Sequence, residues 1–100
     1  AKQLAAEVNA AGDIYSPHTW GDGLVLLVNL QVSAAVSTAP FIEFPFDPPT
    51  WTPSRRDFIL PQPIQAENGW VTLPDKPGLG VEIDWRQLEP YRLKTGTMEY

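Results

Sequence analysis

The 100-residue chain contains no cysteine, which excludes a disulfide framework and a thiolate metal site. The absence also fits a reducing compartment, so we expect a cytoplasmic location. Basic residues are few and scattered, with one basic pair at Arg55 and Arg56, and the net charge is −5. Because binding to a phosphate backbone needs a concentrated positive surface, nucleic acid is not an expected partner.

Long apolar runs are also missing. The longest candidate, residues 24–36, is interrupted by Asn29, Gln31 and Ser33, so no membrane span is expected. The first residues lack the basic and apolar regions of a secretory signal, so no signal is expected either. The 11 prolines, in contrast, are many for this length, and their cluster between Pro40 and Pro77 excludes long regular helix there.

The spacing of apolar residues predicts the order of the secondary-structure elements. Helices are predicted at residues 2–11, 23–37 and 85–89, and strands at 13–17, 40–45 and 81–83. A Pro-rich irregular stretch at 47–63 and a hairpin at 64–73, with Asn68-Gly69 as its turn, lie between them. A strand, a helix and a second strand form a βαβ unit, so the class is α/β with a parallel sheet or barrel.

Two features suggest that the chain is a piece of a larger protein. It opens inside an amphipathic helix that ends at Gly12, with no start methionine, as a fragment would. The predicted helix at 23–37 is apolar on nearly every side and should be buried on most of its surface. A chain of this length offers little to bury it against.

Two side chains suited to proton transfer lie on the predicted parallel strands. His18, the only histidine, directly follows strand 13–17, and Glu43 lies within strand 40–45. Barrel enzymes present catalytic groups at the carboxyl ends of such strands, and histidine exchanges protons near neutral pH. Two simpler interpretations stay open: His18 as a hydrogen-bonded structural residue, and Glu43 as an edge-strand glutamate that points to water, since an unpaired buried charge is costly.

Three segments resemble a known family. They are Ser-Pro-His-Thr-Trp-Gly at 16–21, Ala-Pro-Phe-Ile-Glu-Phe-Pro-Phe-Asp-Pro-Pro at 39–49, and the stretch from Asn68 to Asp84. In this order and spacing they resemble the C-terminal end of the mandelate racemase and muconate lactonizing branch of the enolase superfamily. The resemblance covers residues 1–93, and the tail at 94–100 matches nothing.

The resemblance implies a (β/α)7β barrel, similar to a TIM barrel, capped by an α+β domain. Residues 1–50 would be the end of the barrel (helix 6, strand 7, helix 7 and strand 8), and residues 51–93 would return to the capping domain. His18 would be the general acid/base, and Glu43 would hydrogen-bond the substrate carboxylate or enediolate. The family binds Mg²⁺, whose ligands would lie upstream of this chain, with none inside it.

The function implied by the resemblance is removal of the proton α to a carboxylate. An acid-sugar dehydratase, which is a lyase, is favoured over a racemase or epimerase, because Pro-His-Thr-Trp resembles members that act on sugar acids. Expected partners are a sugar acid or other carboxylate, the remainder of the barrel and cap, and further copies in a full-length homo-oligomer. The isolated chain should be inactive. Two alternatives remain: a split gene product without function, or a small non-catalytic carbohydrate-binding or interaction domain that uses Trp20, Trp51, Trp70 and Trp85.

Overall fold

The computed structural model describes residues 1–93, and the predicted tail at 94–100 lies outside the described residues. In chain order the elements are α1 (Lys2–Ala11), α2 (Gly23–Ala34), α3 (Pro53–Arg56), β1 (Ala66–Glu67), β2 (Trp70–Val71), α4 (Trp85–Leu88) and a 3-10 turn (Glu89–Tyr91). None of the helices in this part of the chain has both the length and the apolar character needed to cross a bilayer.

The two long helices begin and end where local chemistry directs them. Gly12 closes α1 in the left-handed conformation, with φ of 77°, as predicted for a C-cap glycine. Asp22 caps α2, because its side chain accepts hydrogen bonds from the Leu24 and Val25 N–H groups at 3.0 and 3.1 Å. This helix ends at Ala34, three residues earlier than predicted, where the last turn tightens into i→i+3 bonds ahead of Pro40.

The predicted parallel strands at 13–17 and 40–45 do not form in this structure. Within residues 1–93 the only sheet is β1 and β2, and the predicted strand at 81–83 is absent too. Main-chain contacts around these segments are isolated: Tyr15 N–H donates to Thr38 O at 2.8 Å, and Asp47 pairs with Trp51 in a single bridge. Strands are held by hydrogen bonds to neighbouring strands, and neither segment has such a neighbour among the described residues.

The predicted hairpin is confirmed. β1 and β2 pair in antiparallel register, with Ala66 opposite Val71 and Glu67 opposite Trp70. Asn68 and Gly69 both have positive φ angles, 52° and 81°, which is the backbone of a two-residue type I′ turn. The Asn-Gly pair in the sequence therefore specified this turn correctly, although the ladder is only two residues long on each side.

The buried core is small. It consists of one face of α2 packed on the segment after α3, namely Leu26, Leu27, Leu30, Ile59 and Leu60. Large apolar side chains remain exposed elsewhere: Phe41 to 72% and Trp70 to 78%, together with Val25 and Val28 on α2. The radius of gyration is 15.9 Å, against about 13 Å for a compact domain of this length. The expected burial of α2 on most sides is therefore not achieved within this chain.

The Pro-rich stretch contains a fully buried ion pair. Arg56 donates from Nε and Nη2 to the two carboxylate oxygens of Asp57, each at 2.6 Å. Nη1 donates to Pro45 O at 2.9 Å, and Nη2 also donates to Ile64 O at 2.8 Å. The guanidinium lies 4.4 Å from the centroid of the Phe44 ring. The segment that carries Glu43 is thereby joined to the start of the hairpin.

Candidate active site

His18 and Glu43 are in direct contact. His18 Nδ1 lies 2.8 Å from Glu43 Oε2, with the histidine side chain 80% exposed and the glutamate side chain 38% exposed. The same carboxylate oxygen accepts a hydrogen bond from the backbone N–H of Thr19. The structure therefore brings together the two residues singled out from the sequence, and Glu43 is paired with donors instead of pointing freely to water.

This contact determines which nitrogen of His18 can exchange a proton. A carboxylate only accepts hydrogen bonds, so a neutral His18 carries its hydrogen on Nδ1, where Glu43 lies. The lone pair is then on Nε2, on the side of the ring away from the carboxylate. Nε2 can accept a proton and return it, which is the requirement for a general acid/base.

Helix α2 fixes the backbone that carries His18. Asn29 Nδ2 donates to His18 O at 3.1 Å and to Thr19 Oγ1 at 2.8 Å. Thr19 is fully buried, and its hydroxyl donates to Pro17 O at 3.3 Å. Residues 17–19 are thus attached to the helix that follows them, although they belong to no regular element.

The buried pair of Arg56 and Asp57 packs against the segment that carries Glu43 and against the start of α2. Arg56 binds the carbonyl of Pro45, shortly after Glu43. On the other side, a Cβ at Gly23 would lie 2.5 Å from Asp57 Oδ1, so the first residue of α2 packs closely against the same pair. The sequence pattern did not reveal this role, because arginine and aspartate are rarely fully buried and are expected at the surface.

The four tryptophans lie in different parts of the chain, and two of them stack on each other. In the described residues, stacking joins Trp20 to Trp51, with ring centroids 6.4 Å apart and planes at 19°. Trp70 lies on β2 and Trp85 on α4, and they are 78% and 70% exposed. Among residues 1–93, ring stacking between tryptophans is therefore limited to Trp20 and Trp51.

Within residues 1–93 the site offers no ligand set for a metal ion, and neither of its two residues lines two cavities of the chain. No group of three or more His, Cys, Asp or Glu side chains in the described part of the chain is placed to hold a metal. Mg²⁺ prefers an octahedral set of oxygen ligands, whereas Glu43 is the one carboxylate that contacts His18 within residues 1–93. The cavities of about 520 and 480 Å³ are lined by neither residue.

Comparisons with known proteins agree with one another. The family described as enolase C-terminal domain-like matches residues 1–87. D-galactarolactone cycloisomerase of Agrobacterium fabrum is 39% identical over an alignment of 82 positions, which covers 77% of this chain and 21% of that protein. Arabinonate dehydratase of Saccharolobus solfataricus is 35% identical over 79 residues, 79% of this chain and 20% of that protein. The chain thus spans about a fifth of the length of these curated relatives.

A solved structure is similar over nearly the whole chain. The crystal structure of a proposed dehydratase from Mesorhizobium loti superposes with a TM-score of 0.78 at 26% sequence identity. The superposition covers 96% of this chain and 25% of that one. The folded arrangement of the described residues is therefore that of one part of a larger protein of known structure.

Proposed function

Because this chain belongs to the enolase C-terminal domain-like family, we propose that it is the C-terminal portion of an acid-sugar dehydratase. Its relatives are named as an acid-sugar dehydratase and a sugar-lactone cycloisomerase, so the resemblance stated from the sequence is confirmed at the level of the family. Residues 1–50 would complete a (β/α)7β barrel, and residues 51–93 would return to the capping domain.

The observation that carries the proposal is the contact of His18 Nδ1 with Glu43 Oε2 at 2.8 Å. It directs Nε2 of His18 outward as the proton-transfer atom. In a dehydration, the C–H bond α to the carboxylate breaks, its electron pair forms a C=C bond, and the β-hydroxyl leaves as water after it gains a proton. His18 would supply that proton, and it can also be the base that removes the α-proton. Glu43 would hydrogen-bond the substrate carboxylate or enediolate through Oε1, which has to carry a proton for this contact because both of those groups only accept hydrogen bonds.

Mg²⁺ would be held by other parts of the protein. Sites of the enolase superfamily generally combine a Lys or His base with Mg²⁺, whose charge stabilises the intermediate. The described residues do not offer the ligand set for the ion. We propose that the ligands lie upstream of this chain, and that the 100-residue chain alone is inactive.

The exposed apolar side chains support a missing remainder of the barrel and cap. Phe41 is 72% exposed, and Val28 on α2 is 48% exposed. Faces of this kind are normally covered by further protein. The homo-oligomer and the cytoplasmic location stay predictions. The assignment of residues 94–100 as a tail is also a prediction. The alternative of a free-standing carbohydrate-binding domain is less well supported, because the family match covers residues 1–87.

A cycloisomerase is the second candidate. The relative with 39% identity carries that activity in its name, whereas the arabinonate relative and the solved structure are described as dehydratases. A dehydratase product is lighter than its substrate by one water, while a cycloisomerase or racemase product has the same mass. Product mass therefore separates these activities.

The test uses the full-length protein that contains this chain. It would be incubated with Mg²⁺ and a panel of sugar acids and sugar lactones, and the products would be analysed by mass spectrometry. The proposal predicts loss of one water from at least one sugar acid, abolished by a chelator. A product of unchanged mass from a lactone would favour the cycloisomerase. No conversion of any carboxylate or lactone would contradict both.

A further inference from the structure

Asn29 is a polar side chain on an otherwise apolar part of α2, and the proposed chemistry does not use it. Asparagine is a poor helix former, and leucine or valine occupies the positions on either side of it. Its side-chain nitrogen nevertheless makes two hydrogen bonds, to His18 O and to Thr19 Oγ1. These bonds join the middle of α2 to the segment that carries the candidate catalytic histidine.

Both bonds require a donor at position 29. The carbonyl of His18 can only accept, and the Thr19 hydroxyl gives its own hydrogen to Pro17 O. The NH₂ group of asparagine supplies two hydrogens and satisfies both acceptors. Aspartate has the same size and shape but no hydrogen to donate when ionised, so it would place a negative charge against two oxygen atoms.

The consequence of these bonds reaches the site itself. Thr19 is fully buried, and its backbone N–H points at Glu43 Oε2, the oxygen that also contacts His18 Nδ1. We propose that Asn29 is a positioning residue: it holds the His18–Thr19 backbone so that the Thr19 N–H and the His18 ring meet the same glutamate oxygen. The catalytic meaning of this role rests on the proposed function, but the geometric claim stands without it.

The single histidine of the chain makes the claim measurable by NMR. In the ¹⁵N-labelled 100-residue chain, long-range ¹H–¹⁵N correlations of the His18 ring should show the Nδ1–H tautomer, and the Thr19 amide should be protected from hydrogen exchange. In Asn29→Asp, exchange at Thr19 should be roughly tenfold faster, the size expected for loss of one or two hydrogen bonds. The His18 ring should also shift toward a mixture of tautomers.

Gln31→Glu is the matched control. It makes the same amide-to-acid change on the same helix, and the Gln31 side chain makes none of the hydrogen bonds found in the described residues. It should leave the His18 ring and the Thr19 amide unchanged. Equal responses of the two variants, or no response in either, would overturn the proposal.

A second variant covers loss of folding. If far-UV circular dichroism shows that Asn29→Asp has lost its helix, Thr19→Val decides, because it removes the Oγ1 acceptor with little change of size. Faster exchange at residue 19 and a changed His18 tautomer would support the proposal, and parent-like signals would overturn it. A full-length protein inactive on every sugar acid would defeat the proposed function but leave these NMR results unaffected.

Discussion

The buried pair of Arg56 and Asp57 gives the sharpest stability prediction. Both side chains are fully buried, and their contacts join Pro45, Ile64 and Gly23. Asp57→Asn keeps the size of the side chain but removes its negative charge. The guanidinium of Arg56 then stays buried without a counter-charge, and one amide oxygen replaces two carboxylate oxygens.

The expected loss is large. Removing one partner of a buried ion pair costs about 3–5 kcal/mol, because the remaining charge is left uncompensated. Whole domains are stable by only about 5–15 kcal/mol, and the hydrophobic core here is small, with Leu26, Leu27, Leu30, Ile59 and Leu60 as its main cluster. Asp57→Asn should therefore remove most of the stability of the chain, or abolish its cooperative unfolding.

Urea unfolding followed by tryptophan fluorescence would measure the effect, since the chain has four tryptophans. Arg55→Gln is the control: it removes one charge at the neighbouring exposed position, where substitutions usually change stability by less than about 0.5 kcal/mol. A midpoint for Asp57→Asn no lower than that of Arg55→Gln would refute the structural role of the pair.

Two further predictions concern the packing of Gly23 and the binding of Mg²⁺. Gly23→Ala should lower the free energy of unfolding by about 1–3 kcal/mol, although alanine usually favours helix by about 1 kcal/mol, because its Cβ would lie 2.5 Å from Asp57 Oδ1. Gly21→Ala is the control in the same urea assay, because the nearest atoms to its Cβ would be those of the Val25 side chain, at 3.3 Å, and it should change stability less. A Gly23→Ala variant more stable than the parent would contradict the close packing of Gly23 on Asp57. Calorimetric titration of the 100-residue chain with Mg²⁺ should show no tight site, because residues 1–93 hold no group of three or more His, Cys, Asp or Glu side chains placed for a metal ion. A saturable stoichiometric site would contradict this.

The residues of the candidate site could be named from the sequence because their chemistry is local and their spacing is specific. His18 follows the first predicted strand and Glu43 lies in the second, and the structure brings the two side chains into contact. The hairpin could be predicted for a similar reason, since Asn68-Gly69 favours one turn type. In both cases a short stretch of sequence carries the required information.

Other features depend on partners that a local pattern does not contain. Residues 13–17 and 40–45 were predicted to be barrel strands, but strand geometry needs hydrogen bonds from neighbouring strands. The pairing of Arg56 with Asp57 depends on burial under Phe44 and on acceptors at Pro45 and Ile64. A basic residue in a Pro-rich stretch is usually solvated, so its burial could not be read from composition.

The most direct test of the central claim is α-proton chemistry in the full-length protein with His18→Asn. Asparagine keeps a similar size and a hydrogen-bonding group but cannot carry a proton near neutral pH. Turnover of the sugar acid in D₂O should fall by at least about 10²–10⁴-fold, the usual contribution of a general acid/base, while KM changes little. If His18 is the base, deuterium incorporation at the α-carbon should vanish with turnover; if it only protonates the leaving hydroxyl, incorporation should survive. Near-parental turnover by His18→Asn would remove this histidine from the mechanism.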